Sequence, residues 1–140
     1  MLEFPSDVVW PAGWTVAVEV LPSGRGRCRW ADRTITVDRK LTLPQLRTTL
    51  AHEAVHARRG LCPRWLIPRE ELAVHTQAAS ALIPIGRLGE ALAGSLDPRV
   101  VAAELDVTPD FVDARLHGLD PVEYAALWDR IAHHRLAPDS

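Results

Sequence analysis

Leu50-Ala51-His52-Glu53-Ala54-Val55-His56-Ala57-Arg58-Arg59-Gly60 is the stretch on which the reading of this chain turns. Leu43, Leu46, Leu50, Ala51, Ala54 and Ala57 form an apolar stripe at helical spacing. Thr42 is a suitable N-cap, Pro44 is tolerated in a first turn, and Gly60 suits a C-terminal stop. The spacing predicts one helix from Leu43 to about Arg59, so His52 and His56 lie one turn apart on one face. Two imidazoles so placed can reach a single zinc ion. Glu53 sits beside them, suited to take a proton from water and return it to a leaving amine.

Upstream, Trp14-Thr15-Val16-Ala17-Val18-Glu19-Val20 alternates and is rich in β-branched residues, as a strand is. A turn at Pro22-Ser23-Gly24-Arg25-Gly26 leads to a second strand at Cys28-Arg29-Trp30, and Thr34-Ile35-Thr36-Val37-Asp38 makes a third. Three short strands suggest a small antiparallel sheet. Residues 1–13, with Pro5, Pro11 and Gly13, read as an irregular lead-in.

Downstream, an alanine-rich helix is expected from Arg69 to Ile83, closed by Pro84. Further helices are expected over Arg87–Ala93, from Asp97 or Pro98 to Leu105, from Thr108-Pro109 to Gly118, and from Asp120-Pro121 to about His134. The expected fold is α+β: a small antiparallel sheet packed on zinc-peptidase helices, then a helical segment. Residues 1–84 would form the core and 85–140 a helical extension packed on it, with a helix-turn-helix rhythm over 98–117.

A catalytic zinc usually takes three protein ligands, so one must come from outside the pentapeptide. The second helix offers Glu70, Glu71 and His75. Glu71 and His75 are four apart and share a face. In one large class of H-E-x-x-H enzymes a downstream glutamate is the ligand, and a residue four positions later orients a motif histidine. On that pattern Glu71 is the third ligand and His75 the orienting group. His75 or Glu70 as the ligand stays open, and acids in a first turn also suit the helix dipole.

These residues together resemble the ImmA/IrrE family of metallopeptidase-like proteins, in the compact form of actinobacteria and their phages. The resemblance covers roughly residues 30 to 130. It is strongest from Leu50 to Pro84, through His52-Glu53-Ala54-Val55-His56, then Glu70-Glu71-Leu72-Ala73-Val74-His75, then Ala78-Ala79-Ser80-Ala81-Leu82-Ile83-Pro84. It implies zinc binding and a regulatory proteolytic role: cleavage of a helix-turn-helix repressor of a phage, mobile element or stress response. His75 departs from the Asp or Asn usual at that place, which bears on catalytic strength more than on metal binding. The alternatives are a metal-binding regulator of weak or no activity that acts by protein–protein contact, and a DNA-binding regulator using the C-terminal helices.

Composition narrows these options. The chain has 140 residues, 47% hydrophobic, with a formal net charge of -2. That suits one domain and offers no electrostatic case for a dedicated nucleic-acid binder. Asp110 and Asp113 on the would-be recognition helix would repel phosphate, so nucleic-acid binding is not favoured and no residue is assigned to it. Two cysteines, Cys28 and Cys62, make no disulfide framework and read as buried free thiols. No apolar run approaches a membrane span, and no signal peptide is evident, so a cytoplasmic protein is expected. Trp14, Trp30 and Trp128 are expected in the core and His117, His133 and His134 on the surface, while Trp65, between the two metal helices, is only a minor candidate to line the substrate cleft.

Overall fold

The computed structural model describes residues 9–136. It is α+β, with three strands followed by one 3-10 turn and six α-helices among the described residues. Most of the lead-in expected over 1–13 lies outside them.

Strands β1 (Thr15–Glu19), β2 (Gly26–Arg29) and β3 (Thr34–Asp38) form a sheet of order β1-β3-β2. The sheet is mixed, which corrects the antiparallel expectation: β2 pairs antiparallel with β3, but β1 runs parallel to it. The cause lies in the two connections. Trp30 to Arg33 is a tight hairpin link, closed by Arg33 in the left-handed region at φ 51°. The segment between β1 and β2 is wider and crosses the end of β3. There the Leu21 amide donates to the Asp38 carboxylate at 3.1 Å, and the Asp38 amide donates to the Arg25 carbonyl at 2.8 Å. That clasp carries β2 to the far edge and leaves β3 in the middle. Accordingly Ile35, Thr36 and Val37 are buried, while Val16 and Val18 on β1 are exposed.

Helix α1 (Leu43–Arg59) starts on a capping box. Thr42 Oγ1 accepts from the Gln45 amide at 3.4 Å, and Gln45 Oε1 accepts from the Thr42 amide at 3.0 Å. It ends at Gly60, whose φ of 91° favours glycine. Leu50 joins Ile35 and Val37 in a small sheet-side cluster. Ala51, Ala54 and Val55 belong to a larger helical cluster. The helix is thus a middle layer. Leu43, expected in the stripe, is exposed instead, because it opens the helix beyond the reach of the sheet.

After a 3-10 turn (Arg64–Leu66), α2 (Ile67–Leu82) packs along α1. Ala51, Ala54, Ala78 and Ala79 are fully buried, and their small side chains let the two helices approach closely. α3 (Ile85–Gly94), α4 (Pro98–Leu105), α5 (Pro109–His117) and α6 (Pro121–Leu136) complete the helical layer. Asp97 caps α4 by accepting from the Arg99 amide at 3.0 Å. At α6, Asp120 Oδ1 accepts from the Glu123 amide at 2.8 Å. Thr108 precedes α5 at the N-cap position, yet its hydroxyl is buried without a partner among the described residues. One buried cluster runs from Ala51 to Ile131, so the helices beyond Pro84 pack directly on the core. No helix of the described residues is long and apolar enough to cross a membrane.

Candidate metal centre

The helical repeat puts His52 and His56 on the edge of α1 that faces α2. Their rings lie 4.8 Å apart, edge to face. Glu71, in the second turn of α2, reaches across to both. His52 Nε2 lies 3.1 Å from Glu71 Oε2, and His56 Nε2 lies 2.8 Å from Glu71 Oε1. One ligand atom from each of the three side chains falls within 4.8 Å of the others. Donors placed about 2.1 Å from a tetrahedral zinc ion stand about 3.4 Å apart. Two imidazoles and a carboxylate are also a usual zinc donor set. The three side chains therefore fit a divalent ion with only small movement.

Glu53, one residue on from His52, turns toward the sheet and is 9% exposed. Burial, which penalises its charged form, holds its pKa above the ordinary carboxylate range. The hydrogen bond from Cys28 and the charge of His56 oppose that shift. Burial also lowers the pKa of His52, helped by the charge of His56 and opposed by Glu71. A neutral imidazole is the metal-binding form, so that shift favours ligation.

The other two candidates are placed elsewhere. Glu70 pairs with Arg59, with Nη2 3.0 Å from Oε2, and this guanidinium holds its carboxyl below the usual range. It does not join the cluster. The ring of His75 lies 6.1 Å from that of His52. Its Nε2 turns instead to Asp110 Oδ2 at 3.7 Å, and its ring meets Phe111 edge to face at 4.8 Å. His75 therefore forms a wall beside the motif, with no hydrogen bond to a motif histidine.

Two depressions bracket the cluster. One, about 270 Å³, is lined by His52, Glu53 and His75 together with Arg25 from the sheet side and Asp110 and Phe111 from α5. The other, about 180 Å³, is lined by His56 and Glu71 with Trp30, Cys62 and Ile67. Trp65, the minor cleft candidate, is 79% exposed and lines neither; Trp30, on the hairpin turn, lines the second. Trp30 and Trp14 stack edge to face at 5.1 Å at the border of the sheet, both partly buried. Cys28, Arg25, Asp110 and Phe111 were not legible as site residues. They lie 24 to 59 positions from the motif, and no spacing rule links them to it.

The helix-turn-helix rhythm is realised as α4 and α5, but α5 packs on α2. Phe111 and Val112 are buried, and Arg115 Nε donates to the Ile83 carbonyl at 2.7 Å. The basic group that a recognition helix would present is thus engaged inside the fold. His117, His133 and His134 are exposed. No protein-family model, curated protein or solved structure matches this chain.

Proposed function

We propose that this chain is a zinc-dependent metallopeptidase of the ImmA/IrrE type that cleaves a regulatory protein, in the first instance a helix-turn-helix repressor. One observation carries the reading: the donor atoms of His52, His56 and Glu71 converge within 4.8 Å, and the buried Glu53 lines the depression on the His52 side of that cluster. Zinc, when held there, supplies Lewis acidity toward the scissile carbonyl and makes water a nucleophile at neutral pH. His52 and His56 would hold it from α1 and Glu71 from α2. Glu53 takes the proton from the attacking water and delivers it to the leaving amine. Its raised pKa brings the carboxyl closer to the operating pH, where a general base works best. Depressions on both sides of the cluster suit a chain laid across it. Among the described residues β2 is an edge strand beside the first depression, a position that suits pairing with an extended peptide.

A second reading is a metal-holding regulator that acts by binding its partner. It is favoured by His75, which meets Asp110 and Phe111 and leaves His52 without the orienting partner that usually strengthens a ligand. The test is incubation of the zinc-loaded protein with candidate helix-turn-helix repressors, sought first among the products of neighbouring genes. Cleavage is expected for the wild type, and none after chelation or for Glu53→Gln. A Glu53→Gln protein that cuts at the wild-type rate refutes the assignment. Binding to the repressor with no cleavage by either protein selects the second reading.

A further inference from the structure

Strand β2 lies against α1 at the point where Glu53 leaves the helix. Gly26 and Cys28 are the two residues of β2 that alternate inward. A Cβ on Gly26 would stand 3.3 Å from Glu53 Cγ, so the strand sits flush with the stem of that side chain. Two residues on, Cys28 Sγ lies 3.2 Å from Glu53 Oε2 and 3.4 Å from the Glu53 backbone carbonyl. Both acceptors belong to one residue. Among the described residues no donor meets the other carboxylate oxygen, Oε1, and Glu53 lines the cleft that holds His52.

We propose that Cys28 is a positioning residue: its thiol donates to Glu53 Oε2 and holds the carboxylate so that Oε1 is presented to the metal cleft. This rests on the metallopeptidase reading and adds to it the group that orients the base. Cys28 makes no hydrogen bond to His52, His56 or Glu71 and is not among the ligand group, so it is placed to act on the base and not on ligation. Burial, and then the adjacent Glu53 charge, raise the thiol pKa far above its ordinary value. The sulfur therefore stays a protonated donor at neutral pH, a poor nucleophile and a poor metal ligand.

Two measurements test this. The first is the S–H stretching band of the metal-free protein, read in a Cys62→Ala background so that Cys28 is its sole thiol. Replacing Glu53 by Ala is expected to shift that band toward a weaker hydrogen bond. An unmoved band means that the thiol does not donate to this carboxylate and overturns the proposal. The second is binding of acetohydroxamate to the zinc-loaded protein, since its acidic proton is expected to meet the base. Cys28→Ala is expected to weaken binding about tenfold, the loss of one hydrogen bond to a charged group. Cys28→Ser, which keeps a donor, is expected to stay within about threefold of wild type, with zinc affinity unchanged in both. Equal binding by Cys28→Ala overturns the proposal, as does a Cys28→Ser protein as weak as Cys28→Ala. A zinc-loaded wild type that binds no acetohydroxamate refutes the metallopeptidase reading instead, and the S–H band then decides by itself whether the thiol holds the carboxylate.

Discussion

Gly26→Ala should destabilise the fold through one identifiable contact. The added Cβ would stand 2.5 Å from Thr49 Cγ2, 3.2 Å from the Thr36 carbonyl oxygen and 3.3 Å from Glu53 Cγ. The first distance is far inside van der Waals contact. Thr49 is buried, and a β-branched side chain in a helix has few rotamers with which to retreat. The Thr36 oxygen belongs to the central strand and cannot move without disturbing the sheet. Overpacking of this kind costs about 1–3 kcal/mol. The smaller conformational freedom of alanine in the unfolded chain returns about 0.4–1 kcal/mol. The net expectation is a loss of about 1–2 kcal/mol, or roughly 3–7 °C in melting temperature. Urea denaturation of the metal-free protein reads the loss directly. Thr49→Ser removes the methyl group in the worst contact, so in the double variant it should recover about 1 kcal/mol of the Gly26→Ala penalty. A Gly26→Ala protein as stable as wild type, or strictly additive single variants, would show that β2 does not seat against α1 as described.

Zinc should raise the melting temperature of the wild type, because an ion bound only by the folded state stabilises it by about 2.7 kcal/mol at a hundred times Kd. Glu71→Gln or His56→Ala should abolish most of that gain, while Glu70→Gln should keep it; a calorimetric titration checks all three. Glu53→Gln should stabilise the metal-free protein at pH 7. The raised pKa of Glu53 means that the fold favours its protonated form, so wild-type stability is full below the unfolded value of 4.5 and falls as pH rises through the folded one. The difference between variant and wild type should therefore grow from pH 4.5 to 7, and denaturant titrations that show it constant or shrinking would contradict the burial of that carboxylate. Arg115→Met should cost about 1.5–3 kcal/mol through loss of the charged hydrogen bond to Ile83. It should leave duplex DNA binding, measured by fluorescence anisotropy across a salt series, unchanged.

The local record is legible in the chain itself. Periodicity, the N-cap at Thr42 and the stop at Gly60 set α1, and four-residue spacing aligns His52 with His56 on it. These are short-range effects, carried by backbone sterics and nearby hydrogen bonds, so they survive translation into a linear pattern. The α+β class and the succession of helices follow for the same reason.

Tertiary packing decided the rest. Alternation marks β1 and β3 as strands but carries nothing about direction; the Asp38 clasp and the crossing of the segment before β2 made the pair parallel. Glu70 and Glu71 are adjacent acids with equal local propensity. Only the alignment of α2 beside α1 sends Glu71 to the histidines and Glu70 to Arg59. His75 has the spacing of an orienting residue, yet the docking of α5 gives it Asp110 and Phe111 as neighbours. Cys28 reaches Glu53 only because a glycine two residues earlier lets a strand lie flush against the helix. A chain pattern encodes which residues can share a face of one element, whereas the partner of that face depends on how whole elements bury their apolar surface against one another.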